Sequence, residues 1–257
     1  MITKRIIGKI DIKGNKVIKG LRFEGLKVIE ELEKFLEKRR SDYLVDEIYI
    51  NNITGSLYET HIDVNLLENI CKNIHIPVTV QGGINSLKEI EVLFNNGASR
   101  VALNNSIIRN KIPLKQLFRE FGNQAIVFSP SVRVNKEGNI NFFTNAGREL
   151  VELKSNLDAY DYLYQLSQEG LIEILLRFID YDGVDKNINE KTLNQLQKIS
   201  TINIDTIVSG SMHIEQNFIN ALKYGAQGIA LSHIYIYDYK RINNIRSTIS
   251  KRWEVRQ

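Results

Sequence analysis

The sequence predicts an α/β fold, a (β/α)8 barrel built from two half-barrel repeats. Three observations predict it: eight short strand-like runs alternate with eight amphipathic segments, the chain is 257 residues long, and its second half echoes its first. Barrels of this kind run to roughly 200–250 residues as a single domain, so residues 1–257 are expected to form one barrel domain. No linker, charge block or low-complexity tract divides the chain. A doubly wound open sheet is the structural alternative; the lack of a G-x-G-x-x-G after the first strand counts against it.

Taken in order, the run at 5–10 holds Ile6, Ile7 and Ile10 and reads as strand one; the apolar periodicity of 27–40 reads as its helix. Strand two at 47–51 is followed by a helix at 64–74, and strand three at 78–80 by one at 86–96. Strands four and five, at 100–103 and 125–128, flank a helix at 114–121. The remaining pairs are 159–169 with 173–178, 190–198 with 206–209, and 215–224 with 228–231, and a helix at 239–250 closes the series. One excursion breaks the rhythm: Val132-Arg133-Val134 and 140–143 flank Asn135-Lys136-Glu137-Gly138-Asn139, which reads as a β-hairpin inserted after strand five.

An offset of 128 residues superposes Val80-Gln81-Gly82-Gly83 on Val208-Ser209-Gly210-Ser211, and 97–103 on 225–231 without a gap. A similar echo pairs Glu47-Ile48 with Glu173-Ile174. The halves read as copies of one four-unit half-barrel; the alternative is the likeness that all βα units share. In both halves a strand ends in glycine and small residues and a helix follows, which makes an anion cradle. Two cradles half a barrel apart would suit a small molecule with a phosphate at each end, although a Gly-Gly pair also serves any tight βα turn.

Polar residues gather at the predicted C-terminal strand ends: Lys9 and Asp11, Asn52, Asn104 and Asn105, Asp180 and Asp182, and His233. That rim is where barrel chemistry takes place. Asp11 is the acid/base candidate, because partial burial would raise its pKa; it would equally cap the turn into Lys13-Gly14. His233 reads as a catalytic base, a phosphate ligand or an ordinary lining residue. At the opposite rim Arg5, Glu47, Arg100 and Glu173 begin strands one, two, four and six, so alternating charges would close a salt-bridge ring.

The rest of the composition excludes classes. With 34 Lys+Arg against 30 Asp+Glu, the formal charge of +4 is too small and too scattered for a nucleic-acid binder. The one dense basic cluster, Lys38-Arg39-Arg40, suits a helix C-terminus. Cys71 is the sole cysteine, which excludes a disulfide framework within the chain and reads as a packed thiol. Four scattered histidines have no zinc spacing, and neither metal nor cofactor is indicated. No run of about 18 apolar residues exists and Met1-Ile2-Thr3-Lys4-Arg5 leads directly into strand-like residues, so no membrane association and a cytoplasmic location are expected.

Lys4-Arg5-Ile6-Ile7, Asp11, Val17-Ile18-Lys19-Gly20, the stretch 76–80 with Gly82-Gly83, and Asn104 resemble the cyclase subunit of imidazole glycerol phosphate synthase, HisF. So do residues 122–125, Phe143-Thr144 with Gly147, 173–176, and Ile179-Asp180 with Asp182-Gly183. The resemblance is colinear over nearly the whole chain. It implies a TIM barrel that pairs with a HisH-like glutaminase subunit as a heterodimer, receives ammonia along the barrel axis and closes an imidazole ring on a substrate with two phosphates. It also implies that Arg5, Glu47, Arg100 and Glu173 form the ammonia gate, with Arg100 where a lysine is usual. Binding of substrate or phosphate would fall to Lys19, Gly82, Gly83, Asn104, Asp182, Gly183, Ser209, Gly210, Ser211, Ser232 and His233.

The catalytic rim departs from that pattern. The family's two acid/base carboxylates match Asp11 and Pro130, and a proline exchanges no proton. A further acidic position matches Asn52, and Lys9 stands where a small cysteine is usual, on the face of the strand that carries Asp11, where its ammonium would pair with that carboxylate and depress its pKa, against a general-acid role. Gln81 and Ser211 replace glycines, His233 replaces a serine, and Arg177 and Phe178 fill positions normally small and polar. Three functions are expected to compete: a barrel that conducts ammonia, which resembles auxiliary subunits of sugar amidation and by that resemblance would serve a separate sugar amidotransferase in surface-polysaccharide synthesis; an authentic cyclase of histidine biosynthesis; and a non-catalytic scaffold that regulates its glutaminase.

Overall fold

The computed structural model describes residues 3–39, 44–153 and 157–255. Chain order begins β1 (Arg5–Lys13), β2 (Lys16–Leu21), β3 (Glu24–Glu31), α1 (Leu32–Glu37) and β4 (Glu47–Asn52). There follow α2 (Gly55–Tyr58), α3 (Val64–Asn73), β5 (Val78–Gln81), α4 (Leu87–Asn95), β6 (Arg100–Leu103), α5 (Asn105–Ile108) and α6 (Leu114–Phe121). The second half holds β7 (Ile126–Phe128), β8 (Ser131–Val134), β9 (Ile140–Thr144), β10 (Glu149–Leu150), α7 (Ala159–Gln168), β11 (Glu173–Phe178) and α8 (Glu190–Ile199). It ends with β12 (Asp205–Ser209), α9 (Glu215–Lys223), β13 (Gly228–Leu231), α10 (His233–Tyr237) and α11 (Ile242–Ser250).

Eight parallel strands close the predicted barrel in the order β1, β4, β5, β6, β7, β11, β12, β13. Arg5 pairs with Gly228 at one seam and Ile174 with Phe128 at the other. Strand five is split into β7 and β8, since Pro130 between them has no N–H to give the ladder, while its carbonyl accepts from the Arg177 N–H at 3.1 Å. The halves repeat at the offset read from the sequence: α4 precedes α9 by 128 residues, and β6 likewise precedes β13. Gly82 (φ 123°) and Gly83 (φ 73°) are matched by Gly210 (φ 129°) and Ser211 (φ 49°), so the two turns share even their left-handed backbone.

Caps account for the helix starts. Asp63, Ser86, Asp158 and Asn189 each accept N–H groups of the first turn of α3, α4, α7 and α8. Their apolar stripes pack on the outside of the barrel in one large cluster, whereas Ile7, Tyr49, Ala102, Val127, Leu175, Ile207 and Ala230 form a separate layer inside it. Cys71 is half-buried below Gly97, and burial pushes its thiol up to about 11, as suits a packed thiol.

Two expectations are corrected. Residues 27–31 are not helical: β3 pairs antiparallel with β2, Ile18 facing Val28, and the helix starts only at Leu32. Helix propensity loses here to the cross-strand hydrogen bonds that β2 offers. Strand one also runs to Lys13, so Asp11 lies inside a strand opposite Ile18 instead of closing it at a turn. The inserted hairpin forms as expected from β8 and β9, with Gly138 at φ 94° in its turn. Arg39 does serve the end of α1, donating to the Phe35 carbonyl at 2.8 Å and lying over its ring; Arg40 is outside the described residues.

Candidate active site and the two mouths of the barrel

Side chains of a strand alternate between faces, so Arg5, Ile7, Lys9 and Asp11 of β1 all enter the barrel and mark its layers from the N-terminal mouth to the C-terminal one. Near the upper mouth the Lys9 ammonium lies 2.8 and 2.7 Å from the two Asp11 oxygens, and Asn51 donates to the same carboxylate at 2.7 Å. All three are buried. Burial alone would raise the Asp11 carboxyl, but the Lys9 and Lys19 charges and the hydrogen bonds from Lys9 and Asn51 outweigh it and hold the group below its ordinary value. The expectation of a carboxyl raised by burial is overturned; the depression by Lys9 is what the structure has. Pro130 is buried and aprotic, so of the two positions matched to acid/base carboxylates only Asp11 carries one, and it is ion-paired with Lys9.

The first cradle is open. A cavity of about 240 Å³ is lined by Gly82, Gly83, Asn104, Asn105, Arg109 and Arg177, among others. Both glycines are demanded by packing: a Cβ on Gly82 would meet the Asn52 carbonyl at 2.4 Å, and one on Gly83 the Thr60 carbonyl at 2.5 Å. Asn52 is itself held there, its amide donating to the Thr60 carbonyl at 3.1 Å. The N-terminus of α4 is closed by its own side chains, Ser86 accepting from the Glu89 N–H and Glu89 from the Asn85 N–H. Asn104 donates to the Phe143 carbonyl at 3.1 Å and leaves Oδ1 buried without a partner.

The second cradle has the same backbone but little space. Lys19, Asp182, Gly183, Ser209, Gly210, Ser211, Ser232 and His233 do come together there, yet around only about 10 Å³, close to the space one water takes. Lys19 is tied to Asp182 at 3.1 Å, and Ser211 points its hydroxyl at the Tyr181 and Val184 carbonyls, 2.7 Å from each. His233 lies against the rings of His213 and Tyr237. Burial, then His213 and Lys19, lower its pKa, so its imidazole is neutral at neutral pH and offers an anion no charge.

At the opposite mouth the four charges close a ring. Arg5 pairs with Glu173 and, at 3.6 Å, with Glu47; Arg100 pairs with Glu173 and, at 3.0 Å, with Glu47. Thr79 adds a hydrogen bond to Glu47. Burial, reinforced by Glu173, holds the Glu47 carboxyl above its ordinary value in spite of both arginines. Directly above the ring lies the inner apolar layer, and Tyr49 is its largest member, 1% exposed. Its hydroxyl is 2.6 Å from Gln81 Oε1 and 2.8 Å from Ser129 Oγ.

The candidates from the sequence reach these places, except Asp180, which lies half-exposed and pairs with Arg133 of the inserted hairpin at 3.5 Å. Two features escaped the sequence. Tyr49 as an axial side chain was readable from its register with Glu47, two residues along one strand face. The hairpin of β2 and β3 was hidden by helix-forming residues; its tip carries Arg22 and Phe23 at positive φ, and the Arg22 N–H reaches the Asp182 carbonyl at 2.9 Å.

The fold and site define a class: a closed parallel (β/α)8 barrel with two repeated cradles at its C-terminal mouth and an ion-pair ring at the other. A family model described as "Histidine biosynthesis protein" matches residues 5–240. Imidazole glycerol phosphate synthase subunit HisF of Helicobacter hepaticus is 30% identical over 246 residues, 96% of this chain and 95% of that one. The HisF subunit of Alkaliphilus metalliredigens is 30% identical over 250 residues (97% and 96%), and that of a Hydrogenobaculum species 31% over 247 residues (95% and 93%). The chain belongs to this histidine biosynthesis family, as a divergent HisF-type member.

Proposed function

We propose that the protein is a HisF-like subunit that docks a HisH-like glutaminase and conducts its ammonia through the barrel, with its own ring-closing activity weakened or lost. The observation that carries this reading is the closed ring of Arg5, Glu47, Arg100 and Glu173 at one mouth; at the other, the resemblance places Pro130 where the second acid/base carboxylate would be. Losing one member of such a pair removes a factor of about 10² to 10⁴ in rate, and Asp11 clasped by Lys9 has no proton to give at neutral pH. Conduction of a neutral molecule needs neither carboxylate. The resemblance to barrels that serve sugar amidation in surface-polysaccharide synthesis supports a separate sugar amidotransferase as the consumer of the ammonia.

Reconstitution with a HisH-type glutaminase tests this. Glutamine-dependent product formation is expected to be coupled to hydrolysis in the native pair, and the histidine-pathway substrate to be turned over far more slowly than by an ordinary cyclase. Turnover at an ordinary cyclase's rate would favour the authentic enzyme of histidine biosynthesis instead. One observation favours the non-catalytic scaffold as second reading: Tyr49 and six apolar residues fill the axis directly above the ring. Under that reading Tyr49→Ala leaves coupling unchanged; under conduction it raises ammonia transfer.

A further inference from the structure

We propose that the gap between α3 and α4, on the outer wall of the barrel, is a binding site for a free α-amino acid with an aliphatic side chain, taken as its zwitterion. The gap is a cavity of about 290 Å³, at the low end for a small-molecule site. Ile62, Val80, Ile84 and Leu93 form its buried floor, and Val64 and Val92, each 37% exposed, stand at its lip. Val80 faces outward from β5, whose Thr79 and Gln81 reach Glu47 and Tyr49 inside the barrel, so the gap is separate from the axis. Packed helices interdigitate without voids of this size, and the opening therefore needs a cause.

The internal repeat supplies it. At the 128-residue offset Ile84 matches Met212 and Glu89 matches Asn217. Asn217 is buried and ties the segment before α8 to the turn before α9: it accepts the Ile188 N–H at 2.9 Å and donates to the Lys186 carbonyl at 2.9 Å and the Ser211 carbonyl at 3.0 Å. Glu89 turns back on its own helix instead, its Oε2 accepting the Asn85 N–H at 2.7 Å, and Ile84 is shorter than the methionine it matches. The first half thus forgoes the clasp that closes the second, and the floor stays open.

The lip decides what fits. Lys88 and Glu89 line it side by side in the first turn of α4, and neither enters an ion pair among the described residues. Glu89 is fixed by its bond to Asn85 and keeps Oε1 for an ammonium, while Lys88 offers its own ammonium to a carboxylate. A cation and an anion above a wholly aliphatic floor complement a molecule that carries both charges and a branched alkyl group, which is the chemistry of a free aliphatic amino acid.

The site stands apart from ammonia conduction, so a failure to couple glutaminase activity leaves the following test intact. The full chain is titrated by calorimetry with leucine and with its two fragments, 4-methylpentanoate and 3-methylbutylamine. Expected are saturable binding of leucine and affinities at least about 10-fold weaker for each fragment, which lacks one of the two charges. Lys88→Met, and Glu89→Gln, which keeps the bond to Asn85 and loses only the charge, should each weaken leucine about 10-fold with melting unchanged. Val92→Phe, which fills the gap from its exposed lip, should abolish binding. The fragments probe the native chain, so the test does not depend on any variant's folding. Either fragment binding as tightly as leucine, undiminished binding by any of the three variants, or no saturation by leucine would each overturn the proposal.

Discussion

Asp11 shows how one neighbouring residue changes what a carboxylate can do. Paired with Lys9 in a site with almost no solvent, it is a structural counter-ion. Asp11→Asn is therefore expected to cost about 3–5 kcal/mol in urea unfolding, because the Lys9 ammonium stays buried and unpaired. Lys9→Met combined with Asp11→Asn should recover most of that. The folded-state pKa lies below the ordinary value of about 3.9, so this stabilisation is present above that pH and is lost as pH falls through the folded-state value. Acid titration of the double variant should accordingly lack part of the native protein's loss of stability below about pH 4. If Pro130 and Lys9 hold the catalytic positions, Pro130→Asp with Lys9→Cys raises residual cyclase turnover; no rise would place the defect in the occluded second cradle.

At the level of elements, the two strand-to-helix turns are one design used twice with different consequences. Gly82 sits at φ 123° against the Asn52 carbonyl, so Gly82→Ala is expected to destabilise the protein by about 3 kcal/mol or more whether or not a phosphate binds. Its counterpart turn tolerates Ser211 at φ 49°, where the strain of about 1 kcal/mol is offset by the hydroxyl's bonds to neighbouring carbonyls. Ser211→Gly should therefore change stability by less than about 1 kcal/mol in the same unfolding assay. A loss as large as that of Gly82→Ala would show that the hydroxyl, and not the backbone, holds that turn.

Over the whole molecule the two mouths have separate requirements. The lower ring joins four strands across the barrel, and Glu47→Ala would leave Arg5 and Arg100 sharing a single carboxylate. A cost of roughly 2–4 kcal/mol is expected, below the full value for a buried pair because the arginines are partly solvated. In the reconstituted complex Arg5→Ala or Glu47→Ala should leave glutamine hydrolysis running while product formation falls about 10-fold or more, read by assaying both in one reaction. Unchanged coupling would favour the silent scaffold.

Strand positions, the hairpin after strand five, the 128-residue repeat and the charged ring were legible in the sequence, because strand alternation and residue type alone place those side chains. The pairing of Lys9 with Asp11 was legible for the same reason, being two residues apart on one strand. The β2–β3 hairpin was not, since residues 27–31 favour helix locally and only the partner strand decides otherwise. Nor was the fate of the two cradles. Their sequences predict equal phosphate sites, but whether a cradle is open depends on side chains brought from distant strands: Lys19 and Asp182 into one, Arg177 beside the other. Periodicity reports which way a residue faces; only closure of the barrel determines what it meets there.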